Sequence, residues 1–222
     1  MTRKKWSVLL KILTFVCAFA GTISACILAE SRGHYHWATK LMYFTHQSNV
    51  WIAVTCIVLA VFMMSGHKAP DWLYRARYVF TVSITITCII FCGLLAPFAD
   101  YNVWEYYSIL NHVVVPVLAV ADFCIDTYDV PLTKKQTWLS YLPPLAYFAF
   151  AMPLVLCGVD FGKGEPYPYY FFNFHTEAGL FGFANTTPVQ IGSVYWFVVI
   201  FLLIFILARV FFAIHKKTRK YN

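Results

Sequence analysis

Apolar residues gather in six runs along the chain, at roughly 6–29, 43–64, 78–98, 106–126, 139–159 and 191–213. Each run is long enough to cross a hydrocarbon core about 30 Å thick as an α-helix rising 1.5 Å per residue. Short connectors carrying charge, Pro or Gly separate them. The pattern predicts an all-α polytopic membrane protein, a six-transmembrane-helix bundle forming a single domain over 1–222. The first run is too long and too evenly apolar for a cleaved signal peptide, so it is expected to stay as a span. Pro143, Pro144 and Pro153 place kinks in the fifth run.

Composition agrees with this pattern. Hydrophobic residues make up 60% of the chain and charged residues 12%, against about 25% charged in soluble domains. The net charge of +7 raises the question of nucleic acid, but its distribution answers otherwise. Arg3, Lys4 and Lys5, then Lys68, Arg75 and Arg77, then Lys134 and Lys135, then Lys216, Lys217, Arg219 and Lys220 fall at alternate ends of a six-span hairpin series. The opposite ends hold only Arg32, Lys40 and Lys163. That bias predicts both termini in the cytoplasm. It reads as an orientation signal and a contact for anionic lipid heads, not as a nucleic-acid surface. The seven cysteines all sit in apolar runs without a CxxC pair, so they read as small apolar residues.

Two stretches interrupt the apolar pattern on the side opposite the basic ends: YFTHQSNVW at the head of the second run and YYSILNHVVVPVL at the head of the fourth. Thr45 lies five residues past Lys40 and His112 seven past Glu105, which puts both about 8–10 Å below the interface. Thr45, Ser48, Asn49, Ile52 and Cys56 share one helix face; His112, Pro116, Ala119, Asp122 and Phe123 share another. Polar groups at that depth face the bundle interior, so Thr45 and His112 are expected to meet across a cavity. A neutral imidazole beside a hydroxyl can take its proton and return it to a leaving alkoxide. Gln47, Ser48, Asn49 and Asn111 are candidates to orient substrate or to hold a developing oxyanion. Asp100, Glu105 and Asp160 are candidate acids for orienting the imidazole, and spacing does not choose among them. Ser48, one turn deeper, is a rival nucleophile, and His46 reads as a structural neighbour. Asp122 lies deep in the fourth run, with Lys11 or Arg209 as possible partners. The plainer reading has Thr45 as a helix cap or back-bonded hydroxyl, and His112 and the asparagines as interhelical struts.

YFTHQSNVW, LNHVVVPVLAVADF and EPYPYYFF, in that order, resemble the androgen-induced family of six-span fatty-acid-ester hydrolases (FAR-17a/AIG-like) and its bacterial relatives, over roughly 40–175. The resemblance implies an intramembrane Thr and His that cleave esters joining a fatty acid to the hydroxyl of another. The family's Thr opens the second span, as Thr45 does in M-Y-F-T. Its His precedes a short apolar stretch ending in Pro, as His112 does before Pro116. Its W-x-Y-P-F is matched by Pro166, Tyr167, Pro168 and Tyr169. The HQSN after Thr45 departs from the animal enzymes and is nearer the bacterial branch.

The resulting expectation is a threonine-type carboxylic ester hydrolase acting on a membrane lipid ester, with Thr45 and His112 catalytic and no metal or cofactor required. The aromatic connector over roughly 160–190 is expected to fold back over the mouth, with Tyr167, Tyr169, Tyr170 and Phe172 as lining or lid residues. Asn185-Thr186-Thr187 matches a glycosylation acceptor. The alternative is a transporter or lipid- or solute-binding protein using the same polar pocket, with Asp122 as relay. A metal site from His46, His112 and His175 has no supporting ligand spacing.

Overall fold

Each apolar run folds as a helix because lipid leaves backbone amides no partner other than their own segment. The computed structural model describes residues 2–33, 36–99, 102–126, 130–162, 164–184 and 190–220. The six spans are α1 (Arg3–Ser31), α2 (Phe44–Ser65), α3 (Asp71–Phe98), α4 (Tyr106–Ile125), α5 (Lys134–Leu156) and α6 (Ser193–Lys220). All six are long and apolar enough to cross a membrane, and the chain is an integral multi-pass membrane protein. A two-residue antiparallel pairing, Phe183–Ala184 with Gln190–Ile191, lies in the connector before α6.

Helix α1 packs on α2 and α4, while α3 touches α2, α4 and α6. Small residues allow the close approach of α1: Ala18, Ala25 and Ala29 are buried, and a Cβ on Gly21 would lie 2.5 Å from Asn111 Oδ1. Helix α2 stops where Gly66 takes φ 74°, a left-handed cap that glycine adopts without steric cost.

Two spans change helical register. In α3 the turn Phe91–Leu95 is π-helical, and in α4 so is Leu110–Val114. Each ends two residues before a proline, Leu95 before Ala96–Pro97 and Val114 before Val115–Pro116. A proline lacks an N–H and clashes with the carbonyl four residues back; the wider turn relieves the clash. The Val115 amide then reaches Leu110 O, and Asn111 O, whose partner in that register would be Pro116, has no amide to accept from. Asn49 Nδ2 fills that vacancy at 3.1 Å.

The start of α3 corrects the expected boundary. The helix begins at Asp71, behind Pro70, not at 78, so Arg75 and Arg77 are helical residues and not connector charges. Arg77 is fully buried. It reaches Asp126 at 2.6 Å and also contacts Asp122. Lys11 lies 2.9 Å from Asp122 and bonds Asp126 as well, and Ser7 donates to Asp122 at 2.7 Å. The network holds two cations and two carboxylates, so it is formally neutral. Lys11 is therefore the expected partner of Asp122, but Arg209 is not: its guanidinium stands over Phe205, 5.0 Å from the ring centre.

Candidate active site

The head of α2 shows how five polar residues enter the bundle. His46 Nδ1 is 3.5 Å from Thr22 Oγ1 on α1. Ser48 Oγ donates to Thr45 O at 3.0 Å and lies 2.9 Å from Thr87 Oγ1 on α3. Asn49 Nδ2 donates to Thr45 O at 2.8 Å and to Asn111 O. Gln47 turns back to Leu41 O at 3.1 Å. Thr45 is left with its hydroxyl directed at other side chains: Oγ1 is 3.4 Å from His112 Nε2 and 3.4 Å from Tyr169 Oη.

His112 has a determinate tautomer. Its Nδ1 is 2.9 Å from Ser108 O, which can only accept. Nδ1 therefore carries the proton, and Nε2 offers a lone pair to Thr45. Ser108 Oγ adds a second contact to Nδ1 at 3.2 Å. The ring lies flat on Phe91, with centroids 3.7 Å apart and an interplanar angle of 15°. The two π turns thus meet at the site, one supplying the imidazole and the other the aromatic face beneath it. At 3.4 Å the Thr45–His112 contact is looser than the 2.6–3.2 Å of an engaged pair, as in many unliganded sites.

Tyr169 comes from the connector, which folds back over the head of α2. Tyr43 Oη donates to Phe161 O at 2.9 Å, and the Tyr43 and Tyr169 rings meet edge to face at 5.7 Å. The Thr45 amide donates to Tyr169 Oη at 3.3 Å. First-turn amides of a helix have no intrahelical acceptor, and Tyr43 gives α2 no side-chain cap; the phenol oxygen serves instead. Burial pushes the Tyr169 hydroxyl above its ordinary range, so it keeps its proton as a donor.

Beside Thr45 opens a cavity of about 290 Å³. Phe44, Phe91, Tyr147, Tyr169 and Phe172 line it, together with Ile86, Ile200 and Ile204. From Phe197 to Ile204 on α6 the wall descends about 10 Å. The walls are almost wholly apolar, with Thr45 and Thr87 among the lining residues.

The structure brings together Thr45, His112 and Tyr169, and seats Phe172 in the cavity wall. It corrects several other expectations. Asn49 spends both bonds of its amide nitrogen on backbone carbonyls, because the π turn beside Pro116 creates one of them, so it is a strut and not an oxyanion donor. Asn111 turns toward α1, 3.5 Å from Thr22 Oγ1. Gln47 and Ser48 are engaged elsewhere. Tyr170 packs edge-on against Trp196, and Tyr167 joins the aromatic cluster around Tyr147 without lining the cavity.

Neither described candidate acid touches His112. Glu105 forms a two-point pair with Arg32 at 2.8 and 2.9 Å, and this bonding holds its carboxyl below the usual range. Asp160 accepts from the Gly162 and Gly164 amides. Asp100 and the Asn185-Thr186-Thr187 triplet lie outside the described residues. His175 sits in the connector, its amide bonded to Asn173, and no group of three or more metal-ligating side chains converges among the described residues. Sequence reasoning missed Phe91, for which an aromatic residue in an apolar run gives no signal; the prolines at 97 and 116 are the visible trace of the two π turns.

No family model, curated protein or solved structure matches the chain.

Proposed function

We propose that the protein is an intramembrane ester hydrolase of the threonine type, acting on lipid acyl esters. The observation that carries the reading is the approach of Thr45 Oγ1, in the wall of an acyl-sized apolar cavity, to an unprotonated His112 Nε2. Thr45 Oγ attacks the ester carbonyl while its proton passes to Nε2, and the carbonyl π pair moves onto oxygen. Collapse of that oxyanion breaks the bond to the leaving alkoxide, which takes the proton from Nε2. Water then repeats the sequence and frees Thr45. Tyr169 is suited to hold the oxyanion: it retains its proton, and the Thr45 amide polarises it from the positive end of α2. The cavity takes the acyl chain. Kinship with the androgen-induced hydrolases is part of the same proposal and agrees with Thr45, His112 and Tyr169.

The transporter reading draws on Asp122 as a relay, and it has less support. Lys11, Arg77 and Ser7 already engage that carboxylate.

The test is hydrolysis of p-nitrophenyl octanoate by the purified protein in mixed micelles. Wild type is expected to turn over. Tyr169→Phe is expected to lower kcat by about 100-fold or more, the cost of losing one oxyanion donor, with KM little changed. An unaltered kcat would remove Tyr169 from this role.

The orientation belongs to the same proposal. The bias of basic residues toward the outer ends of α1 and α6 and the starts of α3 and α5 supports a cytoplasmic location for both termini and an outer-leaflet site. Reporter fusions at residues 2 and 220 are expected to report cytoplasm. A periplasmic or lumenal signal at either end reverses the leaflet.

A further inference from the structure

We propose that Phe91 is a positioning residue for this chemistry, its ring face standing in for the carboxylate that commonly supports a catalytic imidazolium. The inference rests on the hydrolase reading above. When the Thr45 proton reaches Nε2, His112 becomes a cation inside the bundle. An uncompensated charge there is costly. Among the described residues no carboxylate is bonded to the ring: Glu105 is held by Arg32, and Asp160 by two glycine amides. Nδ1 has only the carbonyl and hydroxyl of Ser108, both neutral. The neighbouring titratable groups, Lys40 and His46, supply no negative charge.

Phe91 does supply a compensating field. Its ring is stacked on the imidazole at 3.7 Å and 15°, so the negative face of the π system lies directly beneath the ring that gains charge. The placement is built and not incidental. Phe91 opens the π turn that precedes Pro97, and His112 lies within the π turn that precedes Pro116. Such turns occur often at functional sites. Trp104 meets Phe91 edge to face at 5.5 Å and backs the ring on another side. The ring also lines the cavity, so it shields the imidazole from the acyl chain.

The experiment compares kcat and KM for p-nitrophenyl octanoate among wild type, Phe91→Leu, Phe91→Tyr and Thr45→Ala. A further series replaces Phe91 with mono-, di- and trifluorinated phenylalanine, which drains the ring face with little change of shape. Leucine is of similar apolar character, and thermal unfolding in detergent checks that the variants are intact. Phe91→Leu is expected to lower kcat about 10-fold or more with KM nearly unchanged. Phe91→Tyr is expected to keep most of the rate. The fluorinated series is expected to fall stepwise. A wild-type kcat in Phe91→Leu overturns the proposal. So does a flat fluorinated series, which would reduce Phe91 to packing. If Thr45→Ala hydrolyses as well as wild type, or wild type hydrolyses nothing, the hydrolase reading itself has failed and this inference falls with it. An inactive Thr45→Ala beside an unaffected Phe91→Leu sinks the role of Phe91 alone.

Discussion

Thr45→Ala is expected to lose ester hydrolysis by at least about 10⁴-fold, the scale on which removing a nucleophile acts, and to lose covalent labelling by a fluorophosphonate. Thr45→Val should match it, because valine keeps the branched shape and packing and removes only the oxygen. Thr45→Ser should retain part of both activities, since the hydroxyl survives. Ser48→Ala is the discriminating control. Ser48 Oγ is already placed between Thr45 O and Thr87 Oγ1, and its loss should cost about 1 kcal/mol of stability while labelling persists. Gel fluorescence after labelling the purified variants reads the outcome. Labelling that survives Thr45→Ala and disappears in Ser48→Ala moves the nucleophile to Ser48. Labelling unchanged in every variant removes the threonine mechanism.

The sequence carried the bundle and the approximate site because both depend on periodicity. An apolar run of membrane length has few alternatives, and residues at equal depth on inward faces must come near each other; Thr45 and His112 are legible for that reason. What escaped depends on backbone register and on pairing. Asn49 looks like any polar residue near a helix start, and its role appears only with the orphaned Asn111 carbonyl beside Pro116. Phe91 is one of 21 phenylalanines, and nothing local distinguishes a ring that lies under an imidazole. Tyr169 was legible as a lid residue, but its bond to the Thr45 amide requires the connector's actual path. Arg77 precedes an apolar run and so reads as a flanking charge. The available clue was on another helix: Asp122 and Asp126, four residues apart at the end of α4 with Asp126 as its C-cap, need two cations, and Lys11 supplies one.

Breaking that buried network is expected to produce the largest loss of stability in the protein. Lys11, Arg77 and Asp122 are fully buried and Asp126 nearly so. Each acid meets both cations, so removing any one member leaves an uncompensated charge in the bundle. Lys11→Met, Arg77→Met and Asp122→Leu should each destabilise the folded protein by about 3–5 kcal/mol, the cost of orphaning a buried ionic partner. Removing one charge of each sign is a different case. Lys11→Met combined with Asp122→Leu leaves Arg77 paired with Asp126 at 2.6 Å and restores neutrality. The double variant should therefore be more stable than the sum of its singles, and near or above the weaker single. Thermal unfolding in detergent, followed by tryptophan fluorescence, measures all four. Single variants within about 1 kcal/mol of wild type, the range of an exposed pair, would mean the quartet is not holding α1, α3 and α4 together. A double variant whose loss equals the sum of its parts would mean the two charges act independently. Hydrolysis by the surviving double variant adds a second check. The quartet lies around Asp122 and Asp126 at the far end of α4 from His112, ten or more residues away and thus about 15 Å along the axis. Its role is to fix the helices, so kcat should stay near wild type wherever the fold survives; a large fall in kcat at full folding would instead favour a proton path through Asp122.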